Sequence, residues 1–121
     1  MAKYSTRQTG AEKEELAVRY LEKQGFIVRE RNFRSRQGEI DIIGFDGEYL
    51  VFLEVKYRKS KSFDGALAAV GDAKKRRICR TADYYRYLRR IPQGTPIRYD
   101  VVGIQGEEII WIKNAFFHMW G

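Results

Sequence analysis

The alternation of apolar and polar positions along the chain divides it into seven elements. In "AEKEELAVRYLEKQG", Leu16, Ala17, Tyr20 and Leu21 recur at helical spacing. Thr9-Gly10 precedes them, glutamates crowd the expected first turn, and Gly25 suits the stop. "FIVRERNFR" alternates as a strand with Phe26 and Val28 on one face, and a polar "SRQG" loop follows. "GEIDIIGFDGEYLVFLEVK", residues 38–56, reads as two strands joined by an Asp46-Gly47 turn. Residues from about 65 to 90 favour a helix that Gly71 either breaks or weakens. "IRYDVVGI" and "EEIIWIK" then form a second hairpin around Gln105-Gly106, leaving an aromatic tail, "NAFFHMWG". The order α-β-β-β-α-β-β predicts an α/β fold, a mixed sheet flanked by helices, formed as one domain over residues 1–121. The first residues, "MAKYSTRQ", are polar and expected to be mobile.

The long hairpin carries the candidate chemistry. A turn at Asp46-Gly47 pairs Phe45 with Glu48, which sets Ile43 opposite Leu50, Asp41 opposite Phe52 and Glu39 opposite Glu54. One face is then apolar throughout: Ile40, Ile42, Tyr49, Val51, Leu53, Val55 and Tyr57. The other is apolar near the turn but gathers Glu39, Asp41, Glu54, Lys56 and Arg58 at its far end, where a cleft is expected. Clustered carboxylates on neighbouring strands repel. Two arrangements relieve them: side chains that splay apart to meet Arg36, Lys56 or Arg58, or a hard divalent cation held by carboxylate oxygens. Glu14, placed by its azimuth on the sheet-facing stripe of the first helix, offers a third oxygen ligand; its plainer use is to complement the helix dipole.

Composition changes the picture in one respect. The formal charge of +7 favours a polyanionic partner, because Lys and Arg gain affinity by releasing counterions condensed on nucleic acid. An acidic membrane surface would attract the same residues. No apolar run approaches membrane-spanning length and the start of the chain has no secretory core, so a cytoplasmic protein is expected. The single cysteine, Cys79, fits a reducing compartment and a packing role.

A Glu on the first helix, an Asp on a strand and Glu-x-Lys on the next resembles the PD-(D/E)xK nuclease superfamily in its Holliday-junction resolvase-like branch. "RNFRSRQGEIDIIGFDGEYLVFLEVKYR", "KKRRI" and "RYDVV" are more closely similar to the bacterial YraN family, an uncharacterised family of predicted endonucleases. The resemblance runs from about Gly10 to Ile104. It implies a restriction-endonuclease or resolvase-like sheet and hydrolysis of DNA phosphodiesters with Mg²⁺ or Mn²⁺. It implies metal ligation by Asp41 and Glu54, helped by the Val55 carbonyl, with Glu14 as the helix-borne acid and Lys56 near the attacking water or the phosphate. Ile40 stands where the superfamily has a proline, as is usual in this branch. Lys13 stands where the family usually has a glycine before Glu14.

Arg34, Arg36, Arg58, Lys59, Lys61 and, on the second helix, Lys74 are the candidate DNA contacts; each also reads as a solvated charge. Asp100 is expected to be a structural partner of Arg98 or Arg77. His118 is expected to pack. Of Tyr84, Tyr85 and Tyr87, at least two are expected in the core, with stacking on unpaired bases as the alternative. A branched, symmetric substrate would suit a homodimer. Against the endonuclease stand a non-catalytic nucleic-acid-binding module and an accessory subunit that docks a protein partner through its aromatic tail.

Overall fold

The computed structural model describes residues 6–57 and 71–120. Among these residues two helices and five strands follow in the expected order: α1 (Thr6–Lys23), β1 (Ile27–Ser35), β2 (Gly38–Asp46), β3 (Tyr49–Tyr57), α2 (Asp72–Leu88), β4 (Ile97–Gln105) and β5 (Glu108–Phe116). The strands form one sheet in sequence order, antiparallel except for β3 and β4, which run parallel. A parallel pair needs a long crossover, and α2 lies in it. α1 covers one face of the sheet, where Ala17, Val18 and Leu21 pack with Ile42, Val51, Leu53, Val102 and Ile104. α2 covers the other, where Ile78, Cys79, Ala82 and Tyr85 pack with Ile43, Leu50, Phe52, Tyr99 and Val101.

α1 starts at Thr6 and runs through Gly10, earlier than the sequence pattern predicts, so Glu14 stands two turns inside the helix. The helix dipole acts mainly within the terminal turn and does not account for it. At the other end the Phe26 amide bonds the Leu21 carbonyl and the Gly25 amide bonds that of Glu22. This is the Schellman arrangement, and the buried pair Leu21 and Phe26 supplies its apolar contact. Gly71 breaks the second helical pattern by serving as the N-cap of α2. The expected helix over residues 65–70, together with Arg58, Lys59 and Lys61 and residues 1–5, lies outside the described residues.

The register of the long hairpin corrects the expectation. Phe45 pairs with Leu50, Ile43 with Phe52 and Ile42 with Leu53, around a Gly47-Glu48 turn closed by Asp46 and Tyr49. Gly47 takes φ 61, and glycine at the first central position fits a type II′ connection, whose twist matches the strands. The second hairpin is displaced in the same way, to a Gly106-Glu107 turn closed by Gln105 and Glu108. Shifting by one residue on each strand keeps side-chain parity, so most faces survive the correction. Ile40 does not: it packs with Ile43 on the α2 side although Ile42 packs on the α1 side. Alternation therefore fails across Asp41, next to the last β2–β3 pair, Ile42 and Leu53.

Tyr85 is buried, whereas Tyr84 and Tyr87 are exposed, so core packing claims one of the three tyrosines. The tail is divided: Phe116 is buried and His118 stacks on Tyr99, but Phe117 and Trp120 are exposed. Among the described residues no helix is long and apolar enough to cross a membrane.

A candidate acidic and basic site where two strands part

Asp41 and Asp100 are both aspartates facing a break in a strand ladder, and their surroundings differ. Asp100 is fully buried beside the β4–β5 bulge. It accepts hydrogen bonds from Arg98 Nε and Nη2 at 2.9 and 2.8 Å, from the Trp111 indole at 2.8 Å and from the Asn114 amide at 2.8 Å. Its role is structural, as its pairing with Arg98 predicts, since every donor is supplied by the fold.

Asp41 accepts one bond of this kind among the described residues, from the Val55 amide at 2.8 Å. Burial pushes its carboxyl up to about 7, the charge of Glu54 adds to the rise, and Glu14 and Glu39 push the same way against the bond from Val55. Glu54, 9% exposed, faces α2. Lys74 reaches its Oε1 at 2.5 Å and Lys56 at 3.5 Å. Burial and the neighbouring Lys74 ammonium hold Lys56 below the usual lysine range, against the pull of Glu54. Burial is the largest single influence on the Lys74 ammonium and lowers it, but the bond to Glu54, the contact with Lys56 and the charges of Glu54 and Asp41 together leave Lys74 above the usual range.

Asp41 borders two cavities, one on each side of the sheet edge. The first, about 470 Å³, is also lined by Lys13, Glu14, Arg31, Arg34, Glu39 and the Val55 and Tyr57 positions. The second, about 300 Å³, holds Glu54, Lys74 and Arg77 with Gly38 and Glu39. Glu14 lies on the first side, where its Oε1 accepts from Asn32 Nδ2 at 2.9 Å and Arg31 Nε at 3.3 Å. Glu54 lies on the second. Asp41 thus adjoins each acid, but the three carboxylates do not close into a three-ligand cluster, and no such cluster exists among the described residues.

Arg34 borders the first cavity and pairs with Glu39 at 3.4 Å. Arg36 lies beyond it on the β1–β2 turn. Lys74, expected as a surface contact, points instead into the acidic centre. Sequence reasoning passed over Arg31 and Asn32, which restrain Glu14, and named Arg77, one turn after Lys74, only as a partner of Asp100. Two signals were available: the uniformly polar Glu30, Asn32 and Arg34 face of "RERNFR" for Asn32, and the i, i+3 spacing from Lys74 for Arg77.

The oxygens present suit a hard cation: two carboxylates that raise each other's electrostatic cost, one of them with a single hydrogen-bond donor among the described residues.

A model of the uncharacterised protein family UPF0102 matches residues 13–104. A UPF0102 protein of Colwellia psychrerythraea is 44% identical over 117 residues, covering 93% of this chain and 91% of its own length. One from Lachnoclostridium phytofermentans is 48% identical over 107 residues, covering 88% of this chain and 91% of its own length. One from Legionella pneumophila is 41% identical over 113 residues, covering 92% and 96%. The match takes in α1 from residue 13, β1 to β3, α2 and β4 as far as Ile104, but not β5, with Glu14, Asp41, Glu54, Lys56 and Lys74 inside it, and the chain belongs to the UPF0102 (YraN) family.

Proposed function

We propose that the protein is a metal-dependent endonuclease that hydrolyses DNA phosphodiester bonds, acting on branched DNA or on intermediates of recombination and repair. The observation that carries this reading is the contrast between the two aspartates. Asp100 has its donors built in; among the described residues Asp41 has one, close to Glu54, Lys56 and Lys74 and bordering two cavities. A buried carboxylate kept short of donors is costly for a structural residue and useful for one that binds a cation.

Asp41, Glu54 and the Val55 carbonyl would hold Mg²⁺ or Mn²⁺, with Glu14 contributing from the α1 side. When bound, the cation supplies charge at the phosphate and makes the attacking water more acidic. Lys56, two positions from Glu54 on the same face, would donate to the charge that develops on the phosphate. Lys74, which ties Glu54 down in the free protein, would be freed to contact a phosphate oxygen. Arg34, Arg36 and Arg77 line the approaches and would neutralise flanking phosphates.

The test is cleavage of four-way-junction, flap, single-stranded and linear duplex DNA with Mg²⁺ or Mn²⁺, by wild type, Asp41→Asn and Lys56→Ala. Cutting that requires the cation and is lost in both variants supports the reading. Binding without cutting, unchanged by either substitution, would sink it in favour of a non-catalytic binding module or an accessory subunit.

A further inference from the structure

The β1–β2 turn is locked onto α2 beside the candidate site. Gly38 takes φ 153, and a Cβ there would meet Thr81 Oγ1 at 3.2 Å and Arg77 Cβ at 3.6 Å, so turn and helix touch through a residue without a side chain. Thr81 is itself fixed by a 2.7 Å bond to the Arg77 carbonyl. Lys74, Arg77, Thr81 and Tyr84 follow one another at three- and four-residue steps and so share a face of α2 that runs along this turn.

At the far end of that face lies a separate groove of about 260 Å³, lined by Arg34, Ser35, Arg36, Gln37 and Tyr84. It shares Arg34 and Ser35 with a shallower hollow that also takes in Gly38 and Glu39, and Glu39 in turn lines both cavities at Asp41. The groove is thus continuous with the candidate site. Tyr84 is 42% exposed, yet its position is supported: its ring lies 6.3 Å from that of Phe33, which is buried. Phe33 is held by an edge contact to Tyr85 at 5.1 Å and by the Arg89 guanidinium at 5.8 Å. An aromatic ring backed by the core and open to solvent between two arginines loses little freedom when a flat, anionic group settles on it.

We propose that this groove is a subsite for one unpaired nucleotide, its base stacked on Tyr84 and its phosphate met by Arg34 and Arg36, so that the preferred substrate is single-stranded beside the phosphate presented to Asp41. The proposal rests on the endonuclease reading for its substrate class. Base-paired DNA keeps its base faces inside the stack and offers Tyr84 only a sugar-phosphate edge, which the arginines serve without it. An unpaired base offers a π-face of any sequence. The groove is also smaller than pockets for drug-sized ligands, which start near ~300 Å³, and suits one flat ring system rather than a longer segment.

Binding is measured by fluorescence anisotropy with EDTA present, on three DNA probes: a blunt duplex, the same duplex with a single-stranded extension, and one whose extension is abasic and keeps only sugar and phosphate. Wild type should prefer the base-bearing extension over the abasic one by about fivefold or more. Tyr84→Leu, which retains apolar contact with Phe33 but has no ring, should lose that preference, and Tyr84→Trp should keep it. Equal binding of base-bearing and abasic extensions by wild type, retention of the preference in Tyr84→Leu, or no DNA binding at all would overturn the subsite. Cation-dependent cleavage by wild type, compared with Asp41→Asn, reads the endonuclease separately. Base-dependent binding without cleavage would keep the subsite and remove the activity, and cleavage without base dependence would do the reverse.

Discussion

Lys74 Nζ lies 2.5 Å from Glu54 Oε1, closer than the 3.5 Å of Lys56, although Lys56 shares a strand with Glu54 and Lys74 comes from the helix within the β3–β4 crossover. Glu54 is therefore neutralised from outside its own hairpin, and α2 is coupled to the acidic centre by a charge-assisted contact.

Removing that lysine should have two opposite effects. Lys74→Ala leaves a buried carboxylate with Lys56 as its remaining ion pair among the described residues, and because Lys74 is about one-third exposed the loss is reduced by solvent, to about 1–2 kcal/mol. The variant should unfold at lower urea than wild type with EDTA present. A cation held by Glu54 as proposed would compete with Lys74 for the same oxygen, so the stabilisation gained on adding Mn²⁺ should be larger in Lys74→Ala than in wild type. An equal or smaller gain would mean that Lys74 and the cation do not compete for Glu54.

Asp41→Asn should stabilise the free protein while abolishing cleavage. The substitution keeps an oxygen for the Val55 amide and removes a charge that burial and Glu54 both disfavour. Thermal unfolding at pH 8 with EDTA should give a higher Tm for the variant, and adding Mn²⁺ should narrow or reverse the difference. A lower Tm for the variant under metal-free conditions would show that the Asp41 charge is satisfied by the fold, as that of Asp100 is.

How much of this was legible in the sequence depended on which physical rule applied locally. Strand-forming runs bounded by turn signals located the five described strands, near-continuously apolar in β3 and β4, which are covered on both faces, and the period of two along β3 placed Glu54 and Lys56 together on one side. The register was not legible. Asp46-Gly47 is a strong turn signal, but here Asp46 closes the ladder with Tyr49 and is held by Arg98 at 2.7 Å, a contact 52 residues away in the chain. The break at Asp41 was hidden for a related reason: Ile40 reads as the next member of the Ile42 face until β2 leaves β3 and Ile40 turns towards α2. Glu14 could be assigned to the sheet-facing stripe from its azimuth, but its ties to Arg31 and Asn32 depend on the β1 bulge between Val28 and Glu30.

Gly44 should tolerate no side chain. It lies in β2 where Phe26 and Ile27 cross it, and a Cβ would stand 2.2 Å from the Ile27 carbonyl oxygen and 2.5 Å from the Phe26 ring. A Cβ cannot rotate away, so the β1–β2 ladder or Phe26 must move. Gly44→Ala should cost about 3 kcal/mol, the upper end for overpacking, as a drop in the urea midpoint. A loss below about 1 kcal/mol would mean that the start of β1 is loosely held.

The acid limb of stability should report the Asp46–Arg98 tie. The bond from Arg98 lowers the Asp46 carboxyl below its ordinary value, burial opposes this, and Lys113 at 3.1 Å adds to the lowering. The folded state therefore releases this proton more readily than the unfolded chain does. Its contribution is fully present above the unfolded value of about 4 and is lost as pH falls through the lower folded value. Asp46→Asn retains an acceptor but not the charge. It should be less stable than wild type at pH 7, and the gap should shrink as pH falls from about 4 towards 2, where the wild-type carboxyl becomes neutral as well. Urea unfolding of the pair at neutral and acid pH reads this difference directly. A gap that stays constant across that range would assign the stabilisation to the geometry of the Asp46 turn and not to its charge.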